Sequence, residues 1–546
     1  MSKKTLFFLV LMCVIGTILR FYNLTWGSPY YFHPDERNIA SAITQLSYPM
    51  QMNPHFFAYG SLPIYIVYFV GVLANFIRNL FYHTTSVSVS FEQAILIGRF
   101  LSALLSVGLI PLLYIIGKRL AGKTAGLFAA FFATTSIGLI QYAHFSTFEI
   151  WITFFSTLLF FFLFSYSLSK KTRYVFFAAG TLGILISIKM TTLILLPFYF
   201  LCLFVLIFFQ KHKPFFSKIS SFFLSCFFTL IISILILFIS NPIVFFDSHE
   251  FIASMQYESS VALGFLPVFY TQGFINTIPI FYQLLNIFPF ILNPLLLLIF
   301  IPSFIYIIYT TIVKRSISFL LCILFFLILF SSSGFFYAKW TRYMIPTLPF
   351  IYLIVAIATA DLYTFLLKKL SIGLYLSRLL VGIIFLICSF YALTFVYVVY
   401  YQKDSRIAAM KWAKENISPQ THIVSEVYDL GIVPFNHQFP SITLVNFYDL
   451  EHDTAEQEKL TALQKDASIV ILPSQRILKT RINNPKAYPK GFSFYTKLFQ
   501  NKTYKKIYQT PCNLFCKILY NGNPVFYLEE TATVFDRPTV YIFKKI

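Results

Sequence analysis

Asp35 and Glu36 stand side by side in YYFHPDERNIA (30–40), directly behind His33 and Pro34 and ahead of Arg37. Adjacent carboxylates are candidates for general-base chemistry, because an ionised acid within hydrogen-bond reach of a hydroxyl or amine takes up its proton. Neighbouring acids point in different directions, so one can face a substrate while the other organises the loop. The same pair also suits the start of a helix after Pro34, where carboxylates satisfy free backbone N–H groups. A second set of residues is cationic: Arg20, Arg99, Lys189 in ISIKMTT, and Lys339 and Arg342 in YAKWTRYMIP. Arginine offers a planar fork matched to phosphate oxygens and lysine a point charge, so their convergence would hold a phosphate. Taken singly, each also fits snorkelling at a membrane interface or pairing with Glu149 or Asp247. His144 and Glu149 in QYAHFSTFEI are five apart with no third ligand at a useful spacing. Hydrogen bonding to a polar substrate or to the acid loop is therefore favoured there over a divalent metal. His33 joins the substrate-binding candidates through its place in the acid loop.

The elements that must carry these residues are membrane helices. The 546-residue chain is 58% hydrophobic and only 12% charged, with 68 Phe and a mean hydropathy of +0.73, far from a soluble composition. Its net charge of +21 is dispersed in short loops between apolar runs, which is the pattern of topology signals and argues against nucleic acid. Lys3 and Lys4 precede an apolar run to Leu19, and Arg20-Phe21-Tyr22 follows instead of a small-residue cleavage site. That segment reads as an uncleaved first span. Apolar runs recur near 5–20, 62–82, 94–117, 124–142, 147–168, 174–188, 190–210, 220–240, 283–312, 316–333, 343–367 and 376–400.

If all of these crossed, the basic loops at Lys118-Arg119/Lys123 and Lys170-Lys171/Arg173 would face outward, against the positive-inside rule. The 62–82 run is aromatic-rich and interrupted by Pro63, so it is taken as an external juxtamembrane segment. Eleven spans remain, with a cytoplasmic N-terminus and an external C-terminal region at the plasma membrane. Of 23 basic residues before position 401, 16 then face inward, Lys211 and Lys213 among them. Of eight acids in that region, all but Asp361 face outward. Ionisable groups near a membrane are costly, so their gathering at one surface argues for a site on the outer side.

Residues 1–400 are thus expected to form the membrane domain, with a first external loop over 21–93, and 401–546 an external α/β domain. The second region carries 19 basic and 13 acidic residues and no span-length apolar run. DSRIAAMKWAKENI reads as an amphipathic helix striped by Ile407, Met410 and Ala413/Lys414. HIVSEV, ASIVIL and TVYIF read as strands. This domain is expected to be structural or to recognise an acceptor. Cys512 and Cys516 are the two cysteines in a polar region, and would pair in an oxidising compartment. The other five lie in apolar runs.

An arginine closing the first helix, an acidic pair in the first loop and an arginine opening the next span together resemble the GT-C fold glycosyltransferases. More narrowly they resemble glycosyltransferase family 39, the protein O-mannosyltransferases and the bacterial aminoarabinose transferase. The likeness runs through LRFYNL, FHPDERNIASAI, NPHFFAYGSLPIYI, IGRFLSALLSVGLIPLLYIIGKRLAGKTAGLFAA, GILISIKMTTLILLP and RYMIPTLP. It implies transfer of a sugar, with inversion, from a polyprenyl-phosphate carrier to a lipid, glycan or protein acceptor on the outer face. By that resemblance Asp35 is the base and Glu36 its support or substitute. Arg20 and Arg99 steady the acid loop and the carrier phosphate, Lys189, Lys339 and Arg342 neutralise the leaving phosphate, and no metal is required. AYGSLPIY departs from the family, standing where many relatives carry a His- or Lys-Pro-Pro-Leu stretch. Two other classes compete. A flippase or transporter of lipid-linked glycan would concentrate polar groups near the midplane. A non-catalytic assembly protein would bind glycan or protein without turnover.

Overall fold

The Phe215–Ser240 helix illustrates how the first part of the chain folds. Its buried residues are Thr229, Ser233 and Ser240, while Phe223, Phe227, Ile234, Leu235 and Ile239 are exposed. Large apolar side chains outside and small polar ones inside invert the soluble pattern and suit a helix packed among others in lipid. The computed structural model describes residues 2–82, 87–210, 214–369, 372–500, 502–522 and 527–546. Lys211 and Lys213, counted above among the inward-facing cations, lie outside the described residues, as do residues 83–86 of the expected first loop. Ten helices among the described residues are long and apolar enough to cross a membrane, and the chain is a multi-pass membrane protein.

The expected eleven spans differ from these ten for local reasons. The Phe91–Thr134 helix carries one expected run and most of a second on either side of a kink at Ala121 and Gly122, where Gly122 takes a positive φ of 90°. The Arg173–Ile188 helix is apolar but only 16 residues long. The 62–82 run is a continuous helix, Ser61–Tyr82. Pro63 does not interrupt it, because it falls in the first turn, where a missing N–H and a fixed φ cost nothing. Its length and apolarity allow a crossing. The stretch between the expected runs 220–240 and 283–312 contains a helix of its own, Ser248–Leu263.

The chain divides into two units. The first comprises Met1–Leu24, Asp35–Ala262 and Ile291–Ala392, and the second Thr25–Pro34, Leu263–Phe290 and Leu393–Ile546. The second is built on a five-stranded sheet in the order β2-β1-β3-β5-β4. Its strands are β1 (Ile423–Glu426), β2 (Ile442–Val445), β3 (Ile469–Leu472), β4 (Tyr504–Gln509) and β5 (Tyr541–Lys545). β1 pairs in parallel with β2 and β3, and β5 joins β3 and β4 antiparallel. Every residue of β1 and β3 is buried, as their Ile- and Val-rich sequences require of strands covered on both faces.

On one face the Ser405–Asn416 helix lays Ala409, Met410 and Ala413 against Ile423, Ile469, Ile471 and Ile542. On the other, Leu460, Leu463, Phe494, Tyr495 and Leu498 cover Val424, Val470 and Leu472. β1, β3 and β5 are the expected strands. β2 and β4 are additional: β2 is short and only partly buried, and the exposed Lys505 and Lys506 of β4 mark a sheet edge. Cys512 and Cys516 form a disulfide.

Candidate active site

Pro34 opens the Pro34–Thr44 helix and puts both Asp35 and Glu36 in its first turn. Successive residues on a helix point about 100° apart, and here that separation divides the two acids. Glu36 is wholly buried. Its carboxylate accepts Arg99 Nε at 2.8 Å and Nη2 at 2.7 Å, and the Ser146 backbone N–H at 2.5 Å. Arg99 Nη1 goes on to donate to the Leu24 carbonyl at 2.7 Å. Gly98 makes this approach possible, since a Cβ there would lie 1.8 Å from Ser146 Oγ. Asp35 instead keeps 31% of its side chain exposed and accepts Arg342 Nη1 at 2.5 Å, with the Arg342 side chain 22% exposed.

Arg342 is steered by rings: its guanidinium lies 4.3 Å from the centre of Trp340 and 5.7 Å from that of Tyr343. Lys189, in the extended link after the Arg173–Ile188 helix, reaches toward the same ring of Tyr343 at 6.0 Å and lies 4.4 Å from the centre of Tyr59. Tyr59 donates its hydroxyl to Glu149 Oε1 at 2.6 Å, and Lys189 Nζ is 3.6 Å from that oxygen. Burial, reinforced by the charges of Glu149 and Asp35, holds the Tyr59 phenol well above its ordinary range, so it stays a donor. Gly60 docks this loop. Its N–H donates to the Ile188 carbonyl at 2.8 Å, and any Cβ would stand 2.0 Å from the Ser187 carbonyl oxygen. Asn241 ties the same point down by accepting the Ser61 N–H and donating to Ser187 O at 3.3 Å.

Asp35, Arg342, Lys189 and Glu149 are thus brought together, with Tyr59, Tyr343 and Trp340 as their walls. The other candidates lie elsewhere. Arg20 is buried among helices, donating to Ser106 Oγ at 2.7 Å and to the Ala133 carbonyl at 2.6 Å, and serves as a strut. Arg99 braces the acid loop through Glu36. His144 sits between the carbonyls of Ile140 and Tyr22 at 2.8 and 2.9 Å. Burial brings its pKa down to about 4, so the ring is neutral and has one N–H to share between them. Lys339 folds onto the Tyr337 carbonyl at 2.9 Å, and burial lowers its pKa. His33 belongs to the second unit, packed 4.5 Å from the ring of Phe535.

Sequence reasoning missed Tyr59, Trp340 and Tyr343. Trp340 and Tyr343 flank Arg342 in YAKWTRYMIP, and Tyr59 lies in AYGSLPIY, the stretch that departs from the family pattern. Chemically the cluster offers an accessible carboxylate, two cations and one carboxylate oxygen, Glu149 Oε2, without a hydrogen-bond partner among the described residues. Such a set can take a proton, neutralise an anion and accept a hydroxyl.

Residues 65–239 match a family model described as dolichyl-phosphate-mannose-protein mannosyltransferase. No curated protein sequence matches the chain. Among solved structures, the oligosaccharyltransferase AglB of Archaeoglobus fulgidus, in complex with an inhibitory peptide and a dolichol-phosphate, aligns with a TM-score of 0.52 at 13% identity. That alignment covers 100% of this chain and 88% of AglB. The Archaeoglobus fulgidus oligosaccharyltransferase tethered to an acceptor peptide with the NVT sequon gives 0.51 at 13% identity, over 100% and 89%. ArnT of Cupriavidus metallidurans, bound to undecaprenyl phosphate, gives 0.46 at 11% identity, over 92% and 96%. At 13% identity the likeness to the oligosaccharyltransferase is one of fold. The fold is the expected one: a polytopic α-helical membrane protein with a small α/β region toward its C-terminus, similar to a solved oligosaccharyltransferase.

Proposed function

We propose that the protein is an inverting glycosyltransferase that moves a sugar from a polyprenyl-phosphate carrier to an acceptor on the outer face of the membrane. The observation that carries this reading is the juxtaposition of accessible Asp35 with Arg342 and with Lys189 beside Glu149. The match of residues 65–239 to a mannosyltransferase model and the fold likeness support the same class. In this reading Asp35 is the base: it takes the acceptor's proton as the acceptor oxygen attacks the anomeric carbon. The bond from that carbon to the carrier phosphate breaks on the opposite side, so the configuration inverts. Arg342 and Lys189 stabilise the charge growing on the departing phosphate oxygen. Glu149 Oε2 accepts a sugar hydroxyl and so orients the donor. Glu36 and Arg99 are positioning residues, holding the first turn from which Asp35 projects. The distribution of basic residues supports a cytoplasmic N-terminus and an external site.

The test is transfer of labelled sugar from polyprenyl-phosphate donors by purified protein, comparing the parent with Asp35→Asn and offering lipid, glycan and protein acceptors. Loss of transfer with donor binding retained is the expected result. Transfer that survives the substitution removes Asp35 as base, and absence of transfer by the parent from every donor returns the flippase reading.

A further inference from the structure

The parallel part of the sheet runs β2-β1-β3. The chain leaves β1 for β2 on one side and returns to β3 on the other, so the segments beyond β1 and β3 diverge. In open α/β sheets such a divergence leaves a crevice at the carboxyl ends of the strands, the usual place for a ligand. Asp429 after β1 and Ser474 after β3 close its base: the Ser474 hydroxyl donates to Asp429, which also accepts the Gly431 N–H at 2.8 Å. Beside them is a cavity of about 40 Å³ lined by Gln475, Tyr448, Thr480 and Thr533 against Phe269 and Phe274. That volume holds roughly three waters, or one polar substituent of a larger ligand.

Two features show what the cavity is built to receive. Gln475 is completely buried, yet neither its amide nitrogen nor its oxygen has a hydrogen-bond partner among the described residues, and the hydroxyl of buried Tyr448 also has none. Buried amides are almost always paired, so a donor and an acceptor left open in a cavity wall point to a ligand carrying both. The charges around the cavity cancel. Arg476 is paired with Glu530 at 3.0 and 3.2 Å, and Lys479 is accompanied by Glu529 and donates to the Leu528 carbonyl at 2.5 Å. An anion therefore finds no net field. Next to the amide, Phe269 stacks on Tyr428 with centroids 4.7 Å apart and a 19° tilt, and lies 4.9 Å from Tyr448. Tyr428 is 59% exposed, extending the aromatic surface to the solvent.

An apolar ring face beside an open donor, an open acceptor and a hydroxyl complements a pyranose, whose C–H face is apolar and whose hydroxyls both donate and accept. We propose that the α/β unit binds a neutral carbohydrate residue in this crevice, with the outer face of Tyr428, backed by Phe269, stacking on its face and Gln475 and Tyr448 bonding one of its hydroxyl-bearing substituents. This site is separate from the Asp35 cluster and does not depend on the transferase reading.

The test uses full-length protein in lipid nanodiscs, free of sugar-headed detergent. Saturation-transfer NMR would compare neutral hexose and N-acetylhexosamine oligosaccharides, their sulfated counterparts and unglycosylated peptides. Neutral saccharides should bind, with Tyr448→Phe and Gln475→Leu each weakening them by roughly two- to tenfold, the size of one lost hydrogen bond. Tyr448→Phe keeps the ring and hence the packing, and melting curves confirm that both variants fold. Absence of neutral-saccharide binding, unchanged affinity in both variants, or preference for the sulfated ligands or the peptides overturns the proposal.

Discussion

Asp35 and Glu36 are adjacent carboxylates, each paired with an arginine, and the two pairs are opposites. The Glu36–Arg99 pair is 0% exposed on both sides and saturated by a backbone N–H. The Asp35–Arg342 pair keeps 31% and 22% of its side chains exposed. Burying a charged pair is tolerated only where geometry and extra hydrogen bonds compensate for lost hydration, and removing one partner then leaves an isolated charge. A partly exposed pair carries less of that liability and can exchange its partner for a ligand. The comparison assigns the two acids of one sequence motif to different tasks: Glu36 fixes the helix start, and Asp35 is presented by it.

The sharpest way to break this contrast is Asp35→Asn. The amide keeps the size and loses the proton acceptor, so transfer should fall by about 10²- to 10⁴-fold while the melting temperature stays near that of the parent. A labelled-sugar assay alongside a fluorescence melt reads both. Parent-like transfer would remove Asp35 from the chemistry.

Glu36→Gln should do the reverse. It strands the Arg99 charge among helices and should destabilise the fold by about 3–5 kcal/mol, seen as a lower melting temperature and poorer yield. Replacing both members with Met should recover much of that loss, since an apolar pair needs no hydration. If Glu36→Gln melts like the parent and abolishes transfer, the two assignments exchange.

Much of this was legible in the sequence because charge is scarce in a membrane domain. Asp35, Glu149, Lys189 and Arg342 stood out by type, and the Ile407/Met410/Ala413 stripe and the runs HIVSEV and ASIVIL announced the α/β unit, although the helix turns Ala409 inward with Met410 and Ala413 and leaves Lys414 exposed. What was not legible depended on direction and on partners far along the chain. Nothing local says that Arg20 turns toward helix carbonyls, or that Glu36 meets Arg99, 63 residues away. Tyr59 was hidden for a different reason: the chain has 36 Tyr, so one more in an aromatic loop carries no signal until Glu149 is beside it. β4 was missed because an edge strand need not be apolar, whereas β2, with the sequence ITLV, carried a strand pattern that was passed over.

Tyr59→Phe probes the wall the sequence did not reveal. It retains the ring beneath Lys189 and removes only the hydroxyl donated to Glu149. Leaving that buried carboxylate oxygen short of a donor should cost about 2 kcal/mol of stability, again read by melting. No change would mean that Lys189 alone satisfies Glu149.

A third buried acid extends the comparison to the second unit. Glu426 ends β1 fully buried and accepts the Tyr495 hydroxyl at 2.5 Å; no arginine or lysine forms an ion pair with it among the described residues. Burial pushes its pKa from an ordinary 4.5 up to about 8, with the Tyr495 hydrogen bond opposing the rise. Between those values the folded protein holds a proton that the unfolded chain has released, so stability falls as pH increases. The contribution is fully present below pH 4.5 and is lost as pH rises through 8. From pH 6 to pH 7 the expected change is about 1.4 kcal/mol. In Glu426→Gln, which mimics the protonated acid, that slope should vanish. Melting curves of parent and variant at both pH values decide it. Equal slopes would mean that Glu426 is ionised in the fold, and that burial without a cationic partner does not set its state.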